Sequence, residues 1–249
     1  MREQIAVWFS CGAASAVAAK ITIIKYSDNF DIRIVNNPVA EEFPDNIRFL
    51  RDVERWIGCK IESVINPKWP DCSAVQVWEK EKYMSGISGA PCTRELKRRA
   101  RQYWENENKF VKFHVLGFTY EELKRFERFK KFERDNVLPV LIEAGITKQK
   151  CFDILNDAGI LLPESYRRGY ANANCRGCVK VTSASYWNFV REDDPDIFYQ
   201  RAVQSRRIGA KLVRHSGKRI FLDELPVDAK GRRMKKFNIP ECGIFCEEK

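Results

Sequence analysis

Short apolar runs alternate with amphipathic stretches from the start of this chain, and that alternation limits the folds open to it. Gln4–Phe9 (QIAVWF) reads as a short buried strand, followed by the small residues Ser10-Cys11-Gly12-Ala13-Ala14-Ser15 and a helix over 16–26. A second strand is expected at 31–36 and an amphipathic helix over 44–58, with Ile47, Leu50, Val53 and Ile57 at helical spacing and Gly58 as its stop. Further strands are expected at 60–65, 113–118 and 137–142. Helices are expected at 75–83, 93–105, 121–134 and 147–158. Such a series predicts an α/β fold: a doubly wound, mostly parallel sheet with helices on both faces.

The texture changes near residue 166. A polar, turn-rich stretch leads to helices over 183–191 and 195–207 and to a short strand at 219–222. The expected division is an α/β domain over 1–165 and a helical extension over 166–249. Two close cysteine pairs mark that extension, Cys175-Arg176-Gly177-Cys178 and Cys242-Gly243-Ile244-Phe245-Cys246. One tight turn can aim two thiolates at one metal, so Cys175, Cys178, Cys242 and Cys246 form a candidate four-thiolate centre that would staple the C-terminal segment in place. Zn²⁺ and a [4Fe–4S] cluster both suit four thiolates, and the spacing does not separate them.

No apolar run approaches the ~20 residues that span a membrane. The apolar stretch at 5–19 runs into Lys20 without a cleavage site, so a signal peptide is not expected. A cytoplasmic location follows, in which nine cysteines are thiols or metal ligands rather than disulfides. The net charge of +10 is uneven: residues 201–236 hold twelve Lys and Arg against Asp223, Glu224 and Asp228, a local +9. A face of that kind attracts DNA, tRNA or a polyanionic nucleotide, or is simply a solvated basic surface.

Besides the cysteine pairs, two groups of residues carry candidate chemistry. The loop Ser10, Cys11, Gly12, Ala13, Ala14 and Ser15 lies between a strand and a helix N-terminus, where backbone N–H groups and the helix dipole favour a phosphate. Cys92 follows Pro91 and precedes an expected helix. With Arg94 and Lys97 nearby, its thiol would be held as thiolate, and the two cations could bind phosphate or sulfate oxygens. His114 and His215 are the only histidines, and His114 sits in an apolar strand, which argues against a histidine-based hydrolase. Phe126, Phe129 and Phe132 fit a buried helix face better than a base-stacking platform.

Ser10-Cys11-Gly12-Ala13-Ala14-Ser15 resembles the Ser-Gly-Gly-x-Asp-Ser pyrophosphate loop of the adenine-nucleotide α-hydrolase superfamily, which includes the PAPS (phosphoadenylyl-sulfate) reductases and ATP-dependent thiolation enzymes. The segments Pro91-Cys92-Thr93-Arg94-Glu95-Leu96-Lys97, Gly117 with Glu121, Glu122 and Arg125, and the Asn-Cys-x-x-Cys of Asn174 to Cys178 resemble PAPS-reductase landmarks in the same order. Two departures stand out: Cys11 replaces a usual glycine, and Ala14 stands where many ATP-cleaving members carry Asp. The tail Glu241-Cys242-Gly243-Ile244 is similar to the reductases' Glu-Cys-Gly-Leu-His, with Phe245 in the histidine's place.

The resemblance implies an enzyme that binds an adenine nucleotide (ATP, or PAPS or adenylyl sulfate, with Mg²⁺ permitted) at Ser10 to Ser15, Gly117, Thr119 and Arg125. It implies thiol-dependent reduction or transfer of sulfur with Cys92 as the reactive thiol, and it favours [4Fe–4S] over zinc. Cys92 joining Cys175 and Cys178 around that cluster is a further option. A reductase would need a thiol donor such as thioredoxin; a sulfurtransferase acting on DNA or tRNA would use the basic C-terminal stretch. The alternative is a non-catalytic nucleotide- or nucleic-acid-binding module that kept the fold and a structural metal site.

Overall fold

The computed structural model describes residues 2–86 and 89–231. The chain divides into two compact units, residues 1–38, 44–65 and 100–167 in the first and 39–43, 66–99 and 168–249 in the second. The expected break at 165/166 compares with the change of unit at 167/168, and the second unit also takes in two earlier segments of the chain.

The first unit is built on a five-stranded, all-parallel sheet whose strands, in spatial order, are Ile61–Ser63 (β3), Asp31–Asn36 (β2), Gln4–Phe9 (β1), Val111–Val115 (β4) and Val137–Leu138 (β5). β1 (Gln4–Phe9) and β2 (Asp31–Asn36) occupy the expected residues, paired from Gln4 with Asp31 to Phe9 with Asn36. Ile5 to Phe9 are all buried, as a central parallel strand covered on both faces requires. α1 (Ala13–Tyr26) starts three residues before the expected helix. α2 (Asn46–Ile57) ends on Gly58, whose N–H donates to the Glu54 carbonyl at 2.9 Å and whose φ of +78° then turns the chain out of the helix. Its buried stripe is Phe49, Val53 and Ile57; Ile47, expected inside, is 60% exposed because it lies two residues before Phe49, about half a turn round the helix from it.

β3 (Ile61–Ser63) is shorter than expected, and β4 (Val111–Val115) begins and ends earlier. β5 is only Val137–Leu138. Pro139, which offers no ladder N–H, ends it, and the rest of the expected strand becomes α6 (Val140–Glu143). α4 (Ala100–Glu107), α5 (Leu123–Phe132), α7 (Lys148–Asp157) and the short α8 (Glu164–Arg167) complete this unit. On α5, Phe126 and Phe129 pack with Phe118, whereas Phe132 is exposed.

The second unit holds α3 (Ala74–Glu81), a π-helix over Thr93–Arg99, α9 (Ala184–Asp193) and α10 (Pro195–Ile208). The expected strand at 219–222 is β7 (Lys218–Ile220), paired antiparallel with β6 (Val213–His215), where no strand was expected. Its core includes Trp78, Trp187, Phe198, Leu212 and Leu222. Among the described residues no helix is long and apolar enough to cross a membrane.

Candidate functional site

In the first unit the chain runs from β1 outward to β2 and β3, then returns to the other side of β1 for β4 and β5. The order reverses between β1 and β4. Open α/β sheets take ligands outside the carboxyl ends of the strands at such a reversal. The loop from Ser10 to Ser15 and Gly117 both follow strands that end there.

The loop is fixed from within and from β2. Ser15 Oγ donates to the Gly12 carbonyl at 2.8 Å and accepts from the Ser10 N–H at 3.1 Å. Asn36 Nδ2 donates to the Phe9 carbonyl at 2.8 Å and lies 3.7 Å from Cys11 Sγ. Cys11 is buried with φ +54°, the left-handed region that glycine occupies without cost. Gly12 then turns extended, and α1 starts at Ala13 with no side-chain cap and no acidic residue in its first turn. Ala14 is half-buried and adds no charge. The α1 terminus therefore keeps its positive dipole end uncompensated by side chains. Gly117 packs directly on this turn: a Cβ there would lie 2.8 Å from Ser15 N and 3.0 Å from the Ala14 carbonyl carbon.

Thr119 and Arg125 lie just beyond, and Glu122 ties them together. Glu122 Oε2 accepts from the Thr119 N–H at 3.2 Å, one arm of the capping box that starts the short 3-10 turn Tyr120–Glu122, and from the Thr119 hydroxyl at 3.3 Å. Arg125 pairs with the same carboxylate, and its guanidinium lies 5.2 Å from the Phe118 ring centroid. The sequence signal for this hub was the spacing Thr119-x-x-Glu122.

In the second unit, Cys92 is half-buried against the apolar core and immediately precedes the π-helix. Arg94 donates to Glu95 at 3.0 Å and Glu81 at 2.8 Å, and Lys97 pairs with Glu42 at 3.3 Å in an ion pair whose side chains are 7% and 9% exposed. Both cations thus carry carboxylate partners that an incoming anion must compete with. Glu95, which sequence reasoning did not single out, is 1% exposed and accepts from Trp69, Arg94 and Arg99. Burial pushes its carboxyl up; the hydrogen bonds from Arg94 and Trp69 and the charge of Arg99 more than reverse this, so it lies below the ordinary range.

The Cys175-Arg176-Gly177-Cys178 turn belongs to the same unit. The Arg176 N–H donates to the Glu41 carbonyl at 2.9 Å, and the Cys178 N–H donates to the buried Tyr186 hydroxyl at 2.8 Å. Gly177 has φ +60°, and a Cβ on it would meet Ile197 at 2.8 Å and the Arg201 stem at 3.3 Å. Arg201 is 2% exposed, stacks on Trp78 at 4.8 Å and donates to Gln204 at 3.4 Å. Its Nε has no partner, and among the described residues it makes no ion pair. Burial lowers its pKa, and the charges of Glu41, Cys175 and Tyr186 act in the opposite direction. A buried cation beside Cys175 with an orphaned N–H fits a net-anionic metal–thiolate group. Cys242 and Cys246 lie outside the described residues, and among those described no group of three or more His, Cys, Asp or Glu is placed to hold a metal.

Of the remaining described thiols, Cys59 and Cys72 are half-buried. Cys151 is fully buried and pushed up to about 12, first by burial and then by Glu121. His114 stacks on Trp8, whose Nε1 donates to His114 Nδ1 at 3.1 Å; burial, then Arg134 and Arg101, lower its pKa from 6.5 to about 3. Such a group stays neutral near pH 7. Comparison with family models and with curated proteins finds no match for this chain. The resemblance to PAPS reductases therefore rests on the motifs.

Proposed function

We propose that this chain is a PAPS-reductase-like enzyme that binds an adenine nucleotide and carries out thiol-dependent reduction or transfer of sulfur. One observation carries the nucleotide half of this reading: Gly117 packs on the Ala14–Ser15 backbone at the β1/β4 reversal, beside a helix N-terminus with no side-chain cap. A glycine at that contact lets two backbones approach closely and leaves N–H groups for phosphate oxygens. Thr119 and Arg125, held by Glu122, supply a hydroxyl and a cation after the same strand.

The thiol half rests on Cys92 and the Cys175–Cys178 turn. In the reductase form a thiolate attacks the sulfur of adenylyl sulfate, the bond from sulfur to the phosphate oxygen breaks, and a second thiol displaces sulfite. The disulfide left behind is reduced by a dithiol donor of the thioredoxin kind. In the transferase form ATP adenylates an acceptor oxygen with release of pyrophosphate, the outer sulfur of a persulfide charged by an external sulfur-donor protein displaces AMP, and a second thiol breaks the S–S bond, leaving sulfur on the acceptor and a disulfide for the dithiol donor to reduce. Cys175 and Cys178, with Cys242 and Cys246, would hold the metal; zinc would supply a structural tie and [4Fe–4S] a redox-capable centre. A cytoplasmic setting suits this chemistry because thiols stay reduced there.

The test is calorimetric titration of anaerobically purified protein with ATP, adenylyl sulfate and PAPS, paired with assays of sulfite release and acceptor thiolation. Binding of one of these nucleotides is expected, with turnover lost and affinity kept in Cys92→Ser. Failure of all three to bind would refute the proposal; turnover kept in Cys92→Ser would remove Cys92 from it.

A further inference from the structure

The hairpin of β6 and β7 places cation opposite cation. Its register pairs Val213 with Ile220, Arg214 with Arg219 and His215 with Lys218. Directly opposed like charges destabilise a ladder, which ordinarily pairs opposite charges or apolar groups. Burial, and after it the charge of Arg214, lowers the Arg219 pKa. The hairpin nevertheless forms, because Val213 is buried, the Arg214 N–H donates to the Thr182 carbonyl at 2.8 Å, and Ser216 and Gly217 close it with φ of +47° and +77°. Two consecutive residues with positive φ are what the tight two-residue turn between twisted strands requires.

The nearby cations are treated differently. Arg206 is paired with Asp223 and Glu224, and Arg207 with Glu79. Among the described residues Lys211, Arg214, Lys218 and Arg219 make no ion pair. Arg219 donates to the Lys211 and Leu212 carbonyls at 3.4 Å, and Lys211 lies over the Phe221 ring. Lys211, Arg214 and Lys218 are exposed. Closely spaced cations without counter-charges call for closely spaced anions, and a nucleic-acid strand carries one for every ~3.4 Å of its axis. The hairpin shows no exposed large apolar side chain to enter a lipid layer, since Val213 is buried and Ile220 half-buried. A two-stranded ribbon is also narrow enough to lie along a groove.

We propose that the β6–β7 hairpin is a nucleic-acid contact surface, in which Lys211, Arg214 and Lys218 bind backbone phosphates without reading sequence. This goes beyond the nucleotide and thiol chemistry above and stands independently of it. The experiment measures affinity of the full chain for a short single-stranded DNA, its duplex and a folded tRNA between about 50 and 200 mM salt. The combined variant Lys211→Gln, Arg214→Gln, Lys218→Gln is compared with Lys60→Gln, a 90% exposed lysine of the first unit. Binding is expected to weaken steeply with salt. The triple variant should flatten the slope by about one for each contact removed, and Lys60→Gln should leave it unchanged. A preference among the three probes identifies the physiological partner as DNA or RNA. No binding at low salt, an unchanged slope in the correctly folded triple variant, or binding only to anionic phospholipid vesicles would overturn the proposal. Circular dichroism confirms folding, which substitutions at exposed, unpaired side chains should preserve.

Discussion

At the scale of single residues, Gly117 is the sharpest constraint on the candidate nucleotide site. A methyl group there would stand 2.8 Å from Ser15 N, and backbone atoms cannot rotate away as a flexible side chain can. Gly117→Ala should therefore push the β1–α1 turn outward, cost about 1–3 kcal/mol of stability and weaken adenine-nucleotide binding more than tenfold. Thermal unfolding and calorimetric titration measure the two effects, and equal affinity in the variant would separate Gly117 from the site. The strand–turn–helix form of the loop was legible in the sequence because its small residues are contiguous and lie between an apolar run and a helical stretch. Cys11 is the instructive departure: the turn demands a left-handed backbone, and a small buried thiol meets that demand in place of glycine. The settings of Arg94 and Lys97 were not legible. Their partners Glu81 and Glu42 come from distant stretches of chain, and no local pattern announces such pairs.

At the scale of elements, β1 and β2 were readable to the residue because each is a short, bounded run whose inner end is buried on both faces. β5 and β6 were not. Pro139 cuts one apolar run into strand and helix, and Val213–His215 shows too short an alternation for its period to emerge. The Thr93–Arg99 segment was expected as α-helix and forms the wider π-helix, with the same side-chain composition. Pairing between β1 and β4 also sets a pH response. Trp8 and His114 stack across these neighbouring strands, and burial lowers the His114 pKa from 6.5 to about 3. Between those values the unfolded chain holds a proton that the folded chain refuses. Stability should fall as pH falls through this window, by ~1.4 kcal/mol per pH unit from this group alone. Asp45, lowered to about 2 chiefly by Arg48, loses its contribution only below 3.8, so the two are separable. Denaturant unfolding from about pH 7 to 5 should show the slope, and His114→Gln should flatten it; an unchanged slope in a folded variant would assign it elsewhere.

At the scale of the whole molecule, each of the two units has its own large apolar core among the described residues, and only the strand–helix alternation of the first was visible in the sequence. The second draws on 39–43 and 66–99 as well as the C-terminal stretch, an assembly that linear reading cannot find. Its candidate metal turn can be tested through its own electrostatics. Arg201 is buried, among the described residues no carboxylate is in ion-pair contact with it, and an isolated buried charge destabilises a fold. Four thiolates around a metal carry net negative charge that would offset it. Arg201→Met keeps an apolar stem against Trp78 and Gly177 and deletes the charge. If the turn holds a metal, the variant purified without oxygen should contain less iron or zinc per chain, and chelation should lower the melting temperature of wild type more than that of the variant. If the turn holds none, removing an uncompensated cation should stabilise the protein, by about 1–4 kcal/mol, and chelators should change neither form. Elemental analysis of wild type and variant, read with their melting curves, decides between a thiolate centre that uses Arg201 as its counter-charge and a turn that merely tolerates it.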